Sequence, residues 1–208
     1  MAEYRAVNGR CALDFSSLSL PISKEEAQTL LLKNGFSILD VDIIDIAREC
    51  IKTSTYKRGA RPSEAPAVVD CSSLIKYLYG QKGIWLPRRT IQQCQLGEKI
   101  DPKDIRKGDV IFKSGRINYT NPLVPKGVGH VGIATGEGTV IHAMNKQNNV
   151  VETSLEKFIA REKLRDIRRY ISLSNDCVTL QTPKNREIET SDDIYWVLFQ
   201  LNELRSQS

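Results

Sequence analysis

At 208 residues, the chain is long enough for one domain of ordinary size, with or without extensions. Hydrophobic residues make up 40% of it and charged residues 26%, a globular composition that excludes wholesale disorder. The net charge of +5 comes from dispersed basic residues, with small clusters at 57–58, 88–89 and 168–169. No basic stripe carries interleaved aromatic residues, so the pattern favours a solvated surface or an acidic ligand over a nucleic acid.

The cysteines and the apolar stretches indicate a soluble protein without a disulfide scaffold. Five cysteines form an odd set with no CxxC pair and no zinc-module spacing. No stretch reaches the length of a signal peptide or a membrane span. We therefore expect no membrane partner. We also expect a cytoplasmic location, unless the chain is exported by a specialised route or its leader has been removed.

The first half of the chain is predicted to be mainly helical. Residues 23–35 begin with Ser23 as a helix cap and end at a glycine, and residues 41–54 carry apolar side chains at helical spacing. Cys50 lies on the apolar face of the second helix, so we expect it in the core. A loop rich in glycine and proline follows at 56–67, and a third helix is predicted from Cys71 to residue 80.

The second half is predicted to form short strands and then a terminal helix. A helix is expected between the last two strands at 154–164 and another at 191–204, and the strands are predicted at 108–112, 130–135, 139–144, 149–153 and 166–171. Helices followed by an antiparallel meander predict an α+β fold. We divide the chain into an N-terminal extension (1–40), a central domain (41–172) and a C-terminal extension with the terminal helix (173–208).

The two histidines of the chain, His130 and His142, lie in neighbouring predicted strands. If residues 136–138 form a three-residue hairpin loop, Thr135 faces Thr139 and the histidines are diagonal neighbours on one face. A two-residue loop would place them on opposite faces. The register of this hairpin therefore decides whether the two imidazoles meet.

Cys71 occupies the predicted start of a helix, where unpaired N–H groups favour a thiolate. If the face with His130 packs against that helix start, the two residues form a nucleophile–base pair, and His142 can orient the first imidazole. Asp70 would not assist ionisation, because a neighbouring negative charge raises the pKa of a thiol.

Other interpretations of these residues remain open at this stage. A cysteine in an apolar helix and a histidine in a strand are both common in protein cores. One thiolate and two imidazoles are also suitable ligands for zinc, although the sequence suggests no fourth ligand.

The wider pattern resembles the NlpC/p-sixty family of cysteine peptidases. The matching segments are DCSSLIKYLYGQKGIWLPRRTIQQ, IRKGDVIF and GHVGIATGEGTVIHA, within roughly residues 41–171. The resemblance implies a papain-like α+β core in which the helix bearing the nucleophile packs on an antiparallel sheet. It implies Cys71 as nucleophile, His130 as general base and His142 as the orienting residue.

The resemblance also implies a substrate and the residues that bind it. Family members mostly hydrolyse peptidoglycan stem peptides, commonly between γ-D-glutamate and a diamino acid, through a thioester and without a cofactor or metal. Tyr56, Asp70 and Ser72 match the family's substrate-binding positions. The alternative is an amidase, deamidase or acyltransferase of the same superfamily that acts on a non-wall protein or lipid.

Several positions depart from the family pattern and concern the substrate more than the chemistry. Ser73 and Ala60 replace glycines, and Arg58 replaces a tryptophan. A long segment at 113–129 is expected to border the active site as a loop that narrows or gates it.

Overall fold

A computed structural model of the protein describes residues 4–17, 19, 21–160, 163–171 and 176–206. The helices in these residues are α1 (Lys24–Lys33), α2 (Ile43–Thr53), α3 (Cys71–Gln81), α4 (Thr90–Gln93), α5 (Leu155–Ile159) and α6 (Ser191–Ser206). The strands are β1 (Arg10–Asp14), β2 (Ser37–Leu39), β3 (Thr55–Tyr56), β4 (Val68–Val69), β5 (Glu98–Lys99), β6 (Val110–Lys113), β7 (Tyr119–Asn121), β8 (Val124–Val128), β9 (His130–Ala134), β10 (Thr139–Asn145), β11 (Asn149–Ser154), β12 (Leu164–Arg169) and β13 (Cys177–Gln181).

One compact unit contains Asp42–Tyr79 and Leu86–Ile171 and is built on a six-stranded sheet. Its strand order is β11-β10-β9-β6-β12-β5, and each neighbouring pair is antiparallel. Side chains from the sheet and from α5 form a buried cluster that includes Ile111, Val140 and Phe158. Helix α2 packs along β11. The mixed helix and antiparallel sheet confirms the predicted α+β class.

Local sequence explains where the helices of this unit begin. The Asp42 carboxylate accepts the Ile44 N–H at 2.9 Å and so caps α2, in which Cys50 is buried as expected. The Ser154 hydroxyl accepts the Lys157 N–H at 3.3 Å and caps α5. That helix ends at Ile159, so the prediction of a helix to residue 164 is wrong for Leu164, which belongs to β12. Residues 161 and 162 lie outside the described residues.

The second compact unit consists of the described residues of Met1–Val41, Gly80–Trp85 and Ser172–Ser208. Strand β13 lies between β1 and β2 in a three-stranded sheet, and α1 and α6 complete its core around Leu13, Leu31 and Leu198. Segments that the sequence analysis treated as separate extensions thus contribute to the same compact unit. The domain bounds drawn from the sequence stay a prediction.

The helices of this second unit follow the sequence pattern, whereas its strands were not predicted. Ser23 accepts the Glu26 N–H at 3.2 Å, and the Glu26 carboxylate accepts the Ser23 N–H at 2.9 Å, a reciprocal cap at the start of α1.

Within the part of the chain that the structure describes, no helix combines the length and the apolar character needed to cross a membrane.

Candidate active site

Helix α3 begins at Cys71, as the sequence predicted, and Asp70 caps it. The Asp70 carboxylate accepts the Ser73 N–H at 2.9 Å, and the Ser73 hydroxyl accepts the Asp70 N–H at 2.8 Å. This reciprocal pair satisfies two backbone donors at the helix start. Ser73, where the family pattern has glycine, therefore holds the residue that precedes Cys71.

The Cys71 side chain is half-buried. Hydrogen bonding to the Thr90 side chain and to the backbone of Val131 and Ser72 lowers the pKa of Cys71 and so favours the thiolate. Burial nevertheless raises the pKa of Cys71 to about 11, and the negative charge of Asp70 contributes to that rise. The helix start thus does not by itself make Cys71 a thiolate, because the cost of desolvating the anion is larger.

The hairpin between β9 and β10 has the register that brings the two histidines together. Val140 pairs with Ala134, and the Thr135 N–H donates to the Thr139 carbonyl at 3.0 Å. Of the two registers that the sequence left open, the structure therefore has the three-residue loop. His130 Nε2 lies 2.9 Å from His142 Nδ1, and the two rings are nearly perpendicular at 87°.

The histidine pair is enclosed by an aromatic ring and a lysine. The ring centroid of Phe158 lies 4.8 Å from that of His142 and 5.9 Å from that of His130. Lys113 is the cross-strand partner of His130, and its Nζ lies 4.0 Å above the Phe158 ring. Thr153 Oγ1 lies 3.3 Å from His142 Nε2. The sequence analysis identified neither Lys113 nor Phe158 as part of the site.

This environment keeps both imidazoles neutral at neutral pH. Burial lowers the pKa of His130 to about 3, with further lowering from His142 and Lys113. Burial and the charge of Lys113 lower the pKa of His142 to about 4. A neutral imidazole has one nitrogen that can accept a proton, which is the form that a general base requires.

A second polar cluster joins Asp70 and Ser72 through Arg88, which the sequence analysis did not assign to the site. The Arg88 guanidinium donates to the Asp70 carboxylate at 2.5 Å, to the Ser72 hydroxyl at 2.8 Å and to the Ala60 carbonyl at 2.6 Å. Asp70 also accepts the Gly59 N–H at 3.0 Å. Asp70 and Ser72 are only 7% and 5% exposed, so both are held mainly by groups of the protein itself.

The signal for Arg88 was already in the Leu-Pro-Arg segment and its later glutamine. Gln93 is fully buried, and its Nε2 donates to the Ser72 carbonyl and to the Pro87 carbonyl, both at 2.9 Å. Arg88 and Gln93 thus fix the two ends of the Asp70–Ser72 segment.

Tyr56 lies in β3 and pairs with Val69 of β4, two residues before Cys71. Its N–H donates to the Asn149 side chain at 2.9 Å, which ties β3 to the sheet. Burial raises the pKa of the Tyr56 hydroxyl, and negative charge on Cys71 and Asp70 contributes to the rise. Tyr56 is therefore near enough to Cys71 for their charges to interact.

The 113–129 segment contains the antiparallel hairpin β7–β8, whereas the sequence analysis expected a loop without regular structure. The hairpin packs against α4, whose Thr90 side chain lowers the pKa of Cys71 by hydrogen bonding. Among the residues that the structure describes, no group of three or more His, Cys, Asp or Glu side chains is placed to hold a metal ion.

Comparison with known proteins agrees with this geometry. A helix that begins at a cysteine, together with an antiparallel sheet that carries paired histidines, gives an α+β fold that resembles NlpC/P60 domain structures. A model of the NlpC/P60 family matches residues 54–169. This match spans more than half of the chain, which therefore belongs to the NlpC/P60 family.

Individual relatives give the same result. The chain is 31% identical over 157 residues to a γ-DL-glutamyl hydrolase of Bacillus subtilis, a match that covers 75% of this chain and 34% of that protein. It is 36% identical over 115 residues to a probable endopeptidase of Corynebacterium glutamicum, covering 55% of this chain and 47% of the other. The matches thus span about a third to a half of these relatives.

A solved structure also matches the fold. NlpC2 from Trichomonas vaginalis superposes with a TM-score of 0.50 at 27% identity, covering 62% of this chain and 45% of that one.

Proposed function

We propose that this chain hydrolyses an amide bond in peptidoglycan stem peptides, between γ-D-glutamate and a diamino acid, through a thioester on Cys71. The observation that supports it most directly is the 2.9 Å contact between His130 Nε2 on β9 and His142 Nδ1 on β10, in the same compact unit in which α3 begins at Cys71. Membership of a family of peptidoglycan hydrolases and endopeptidases supports the substrate class. The similarity to a γ-DL-glutamyl hydrolase supports the γ-glutamyl side of the bond.

In the proposed mechanism, His130 takes the proton of Cys71 as the sulfur attacks the carbonyl carbon. The pKa of the thiol is raised and that of the imidazole is lowered, so the resting pair is neutral and the proton moves during the attack. His130 then returns the proton to the leaving amine. A water molecule, activated by His130, hydrolyses the thioester and releases the acid.

The hydrogen bonds of the histidines suggest which nitrogen acts as the base. Nε2 of His130 faces His142, so Nδ1 is the nitrogen available to the thiol. An unprotonated Nδ1 requires that Nε2–H donates to Nδ1 of His142, which then carries its own proton on Nε2. That proton can be donated to Thr153 Oγ1, 3.3 Å away. His142 and Thr153 would thus fix the tautomer of the base.

Three further residues complete the proposed site. The N–H groups at the start of α3 and the Tyr56 hydroxyl would donate to the oxyanion of the tetrahedral intermediate. Asp70 and Ser72 would bind the free amino end of the peptide. An ammonium group that reaches Asp70 would share the carboxylate with Arg88, so we expect Asp70→Asn to weaken substrate binding more than the chemical step.

Product analysis on a panel of stem peptides tests the proposed function. Purified protein should release the two fragments expected from cleavage after γ-D-glutamate, and mass spectrometry should find both. Acyl esters and protein amides, incubated in parallel, should remain intact. If the acyl esters or protein amides are turned over while the stem peptides remain uncleaved, the result would instead support the amidase or acyltransferase alternative.

A further inference from the structure

Lys113 is a cation that the sheet itself places beside the histidine pair. In the antiparallel pairing of β6 with β9, Lys113 is the direct partner of His130, so the two side chains leave the sheet on the same face. The Cβ atoms of such partners are about 4.5 to 5.5 Å apart. The backbone register alone therefore brings a lysine next to the proposed general base.

Contacts with α5 fix the position of the Lys113 ammonium. Its Nζ donates a hydrogen bond to the Phe158 carbonyl at 3.0 Å and lies 4.0 Å from the centroid of the Phe158 ring. The carbonyl oxygen and the face of the ring both stabilise a cation. Because Lys113 is half-buried, these two contacts replace part of its hydration.

The Phe158 ring connects this cation to both imidazoles. The ring is buried, and its centroid lies 4.8 Å from that of His142 and 5.9 Å from that of His130. An apolar ring screens a charge far less than water does, so the ammonium acts on both imidazoles at short range. Burial is the largest cause of the low pKa of each histidine, and the charge of Lys113 adds to it.

The other charged groups on the elements around the pair face away from it or are exposed. Glu152 of β11 is the cross-strand partner of Ile141, so its side chain leaves the face opposite to that of His142. It accepts the Thr139 hydroxyl on that face. The Cys71 thiol is uncharged at neutral pH, because its pKa is raised. The exposed charged groups are Glu156 and Lys157 on α5 and Lys163 ahead of β12.

We propose that Lys113 is a positioning residue for the reaction: held against Phe158, its fixed charge keeps the histidine pair neutral and able to take the Cys71 proton in acidic solution. The inference rests on the proposed function for the task of the pair and adds a residue that the proposed mechanism does not use. The same charge disfavours the imidazolium that His130 becomes during the attack, which favours transfer of the proton to the leaving amine.

Histidine side-chain NMR tests the effect of this charge without any substrate. The chain has two histidines, so labelled imidazoles give two sets of signals, which His142→Asn assigns. Lys113→Met removes the charge but keeps a long side chain, and Lys113→Gln repeats the test with a polar one. Without the charge, the pKa of His142 should rise from about 4 to between about 4.5 and 5. The imidazolium fraction of His142 at pH 5 should then increase from about a tenth to between about a quarter and a half.

Two further variants show whether the effect belongs to the charge at this position. Lys113→Arg keeps the charge and should keep the imidazolium fraction of the unmodified protein. Lys99→Met is the matched control, as it removes an exposed lysine from β5 at the far edge of the same sheet and should leave both histidines unchanged.

The pH dependence of stem-peptide hydrolysis shows whether the charge acts on the reaction. The acid limb of kcat/KM reports the pKa of the essential base in the free enzyme. In Lys113→Met this limb should move to higher pH by about 0.5 to 1 pH unit. In Lys113→Arg and Lys99→Met it should stay where it is in the unmodified protein.

The outcomes separate this inference from the proposed function. If Lys113→Met and Lys113→Gln leave the imidazolium fractions unchanged, the inference is wrong whatever the protein cleaves. If the fractions rise but the acid limb of kcat/KM does not move, Lys113 has no part in the reaction and the inference is again wrong. An equal rise in Lys99→Met would attribute the effect to overall charge and would also overturn it. If the fractions rise as expected but the unmodified protein cleaves no stem peptide, the proposed function fails while the control of the pair by Lys113 stands.

Discussion

The two polar clusters that border Cys71 are built in opposite ways. The Asp70–Arg88 cluster is charged, and the Asp70 carboxylate accepts bonds from Gly59, Ser73 and Arg88. The His130–His142 cluster is neutral, and its rings make one bond to each other and one to Thr153. Both clusters contain buried polar side chains, so they differ in how many hydrogen bonds the protein makes to those side chains.

That difference indicates separate tasks for the two clusters. A buried charge that is fully hydrogen-bonded fixes the conformation of its segment, and removing one partner is costly. A buried imidazole with few partners keeps one nitrogen free for a proton. We therefore expect changes in the histidine cluster to affect turnover and changes in the Asp70–Arg88 cluster to affect stability, in addition to the substrate binding proposed for Asp70.

The largest expected effect is on turnover. Cys71→Ala and His130→Ala should each reduce stem-peptide hydrolysis by at least about a thousand-fold, because the nucleophile and its base act as a unit. Their thermal unfolding should stay close to that of the unmodified protein. Cys177→Ala, which alters a half-buried free cysteine of β13, should retain full activity. Substantial turnover by Cys71→Ala would show that another residue is the nucleophile.

The next effect is on stability and tests the other cluster. Arg88→Met leaves the Asp70 carboxylate buried without its cation, and we expect the free energy of unfolding to fall by about 2 to 4 kcal/mol. Urea denaturation measures this loss. The exposed neighbour provides the control, since Arg89→Met should change stability by less than about 0.5 kcal/mol. If Arg88→Met and Arg89→Met lower the free energy of unfolding equally, the proposed structural role of the Asp70–Arg88 pair is wrong.

The third prediction concerns pH and the histidine cluster. Burial lowers the pKa of His142 from 6.5 to about 4 in the folded protein. Between these values the unfolded chain binds the proton and the folded one does not, so the stability present above pH 6.5 is lost as the pH falls to about 4. We expect this histidine to contribute a loss of roughly 3 kcal/mol over the window.

Urea denaturation of the unmodified protein and of His142→Asn, at several pH values between 7 and 4, isolates that contribution. The asparagine does not titrate, so the stability difference between the two proteins should shrink as the pH falls. A difference that stays constant over this range would mean that His142 is not held neutral by burial.

The sequence predicted the local part of the site and missed the part that depends on distant contacts. Gly136 and Gly138 both have positive φ angles, of 86° and 76°, and glycine at both positions allows the three-residue loop, one of the two registers that the sequence left open. The start of α3 at Cys71 was likewise visible in the residues around it. Neither feature needs a contact from another part of the chain.

Most of the missed features depend on partners far away in sequence, although the local β7–β8 hairpin was missed as well. Strand β1 pairs with β13 through contacts such as that of Cys11 with Leu180, and no local pattern connects them. The Asp70–Arg88 pair was hidden because charge alone does not indicate which partner is near. The raised pKa of Cys71 is a consequence of burial, which tertiary packing sets.

The smallest expected effect tests how little support the histidine cluster has. Thr153→Val keeps the shape of the side chain but removes the oxygen 3.3 Å from His142 Nε2. His142 can then turn or change tautomer more easily, which disturbs the proton arrangement on His130 and should lower kcat by about 3- to 10-fold with little change in KM. Thr153→Ser, which retains the hydroxyl, should keep most of the activity. If Thr153→Val lowers the free energy of unfolding by more than it raises the activation free energy calculated from kcat, Thr153 mainly stabilises the fold, as Arg88 does. The contrast between the two clusters would then no longer hold.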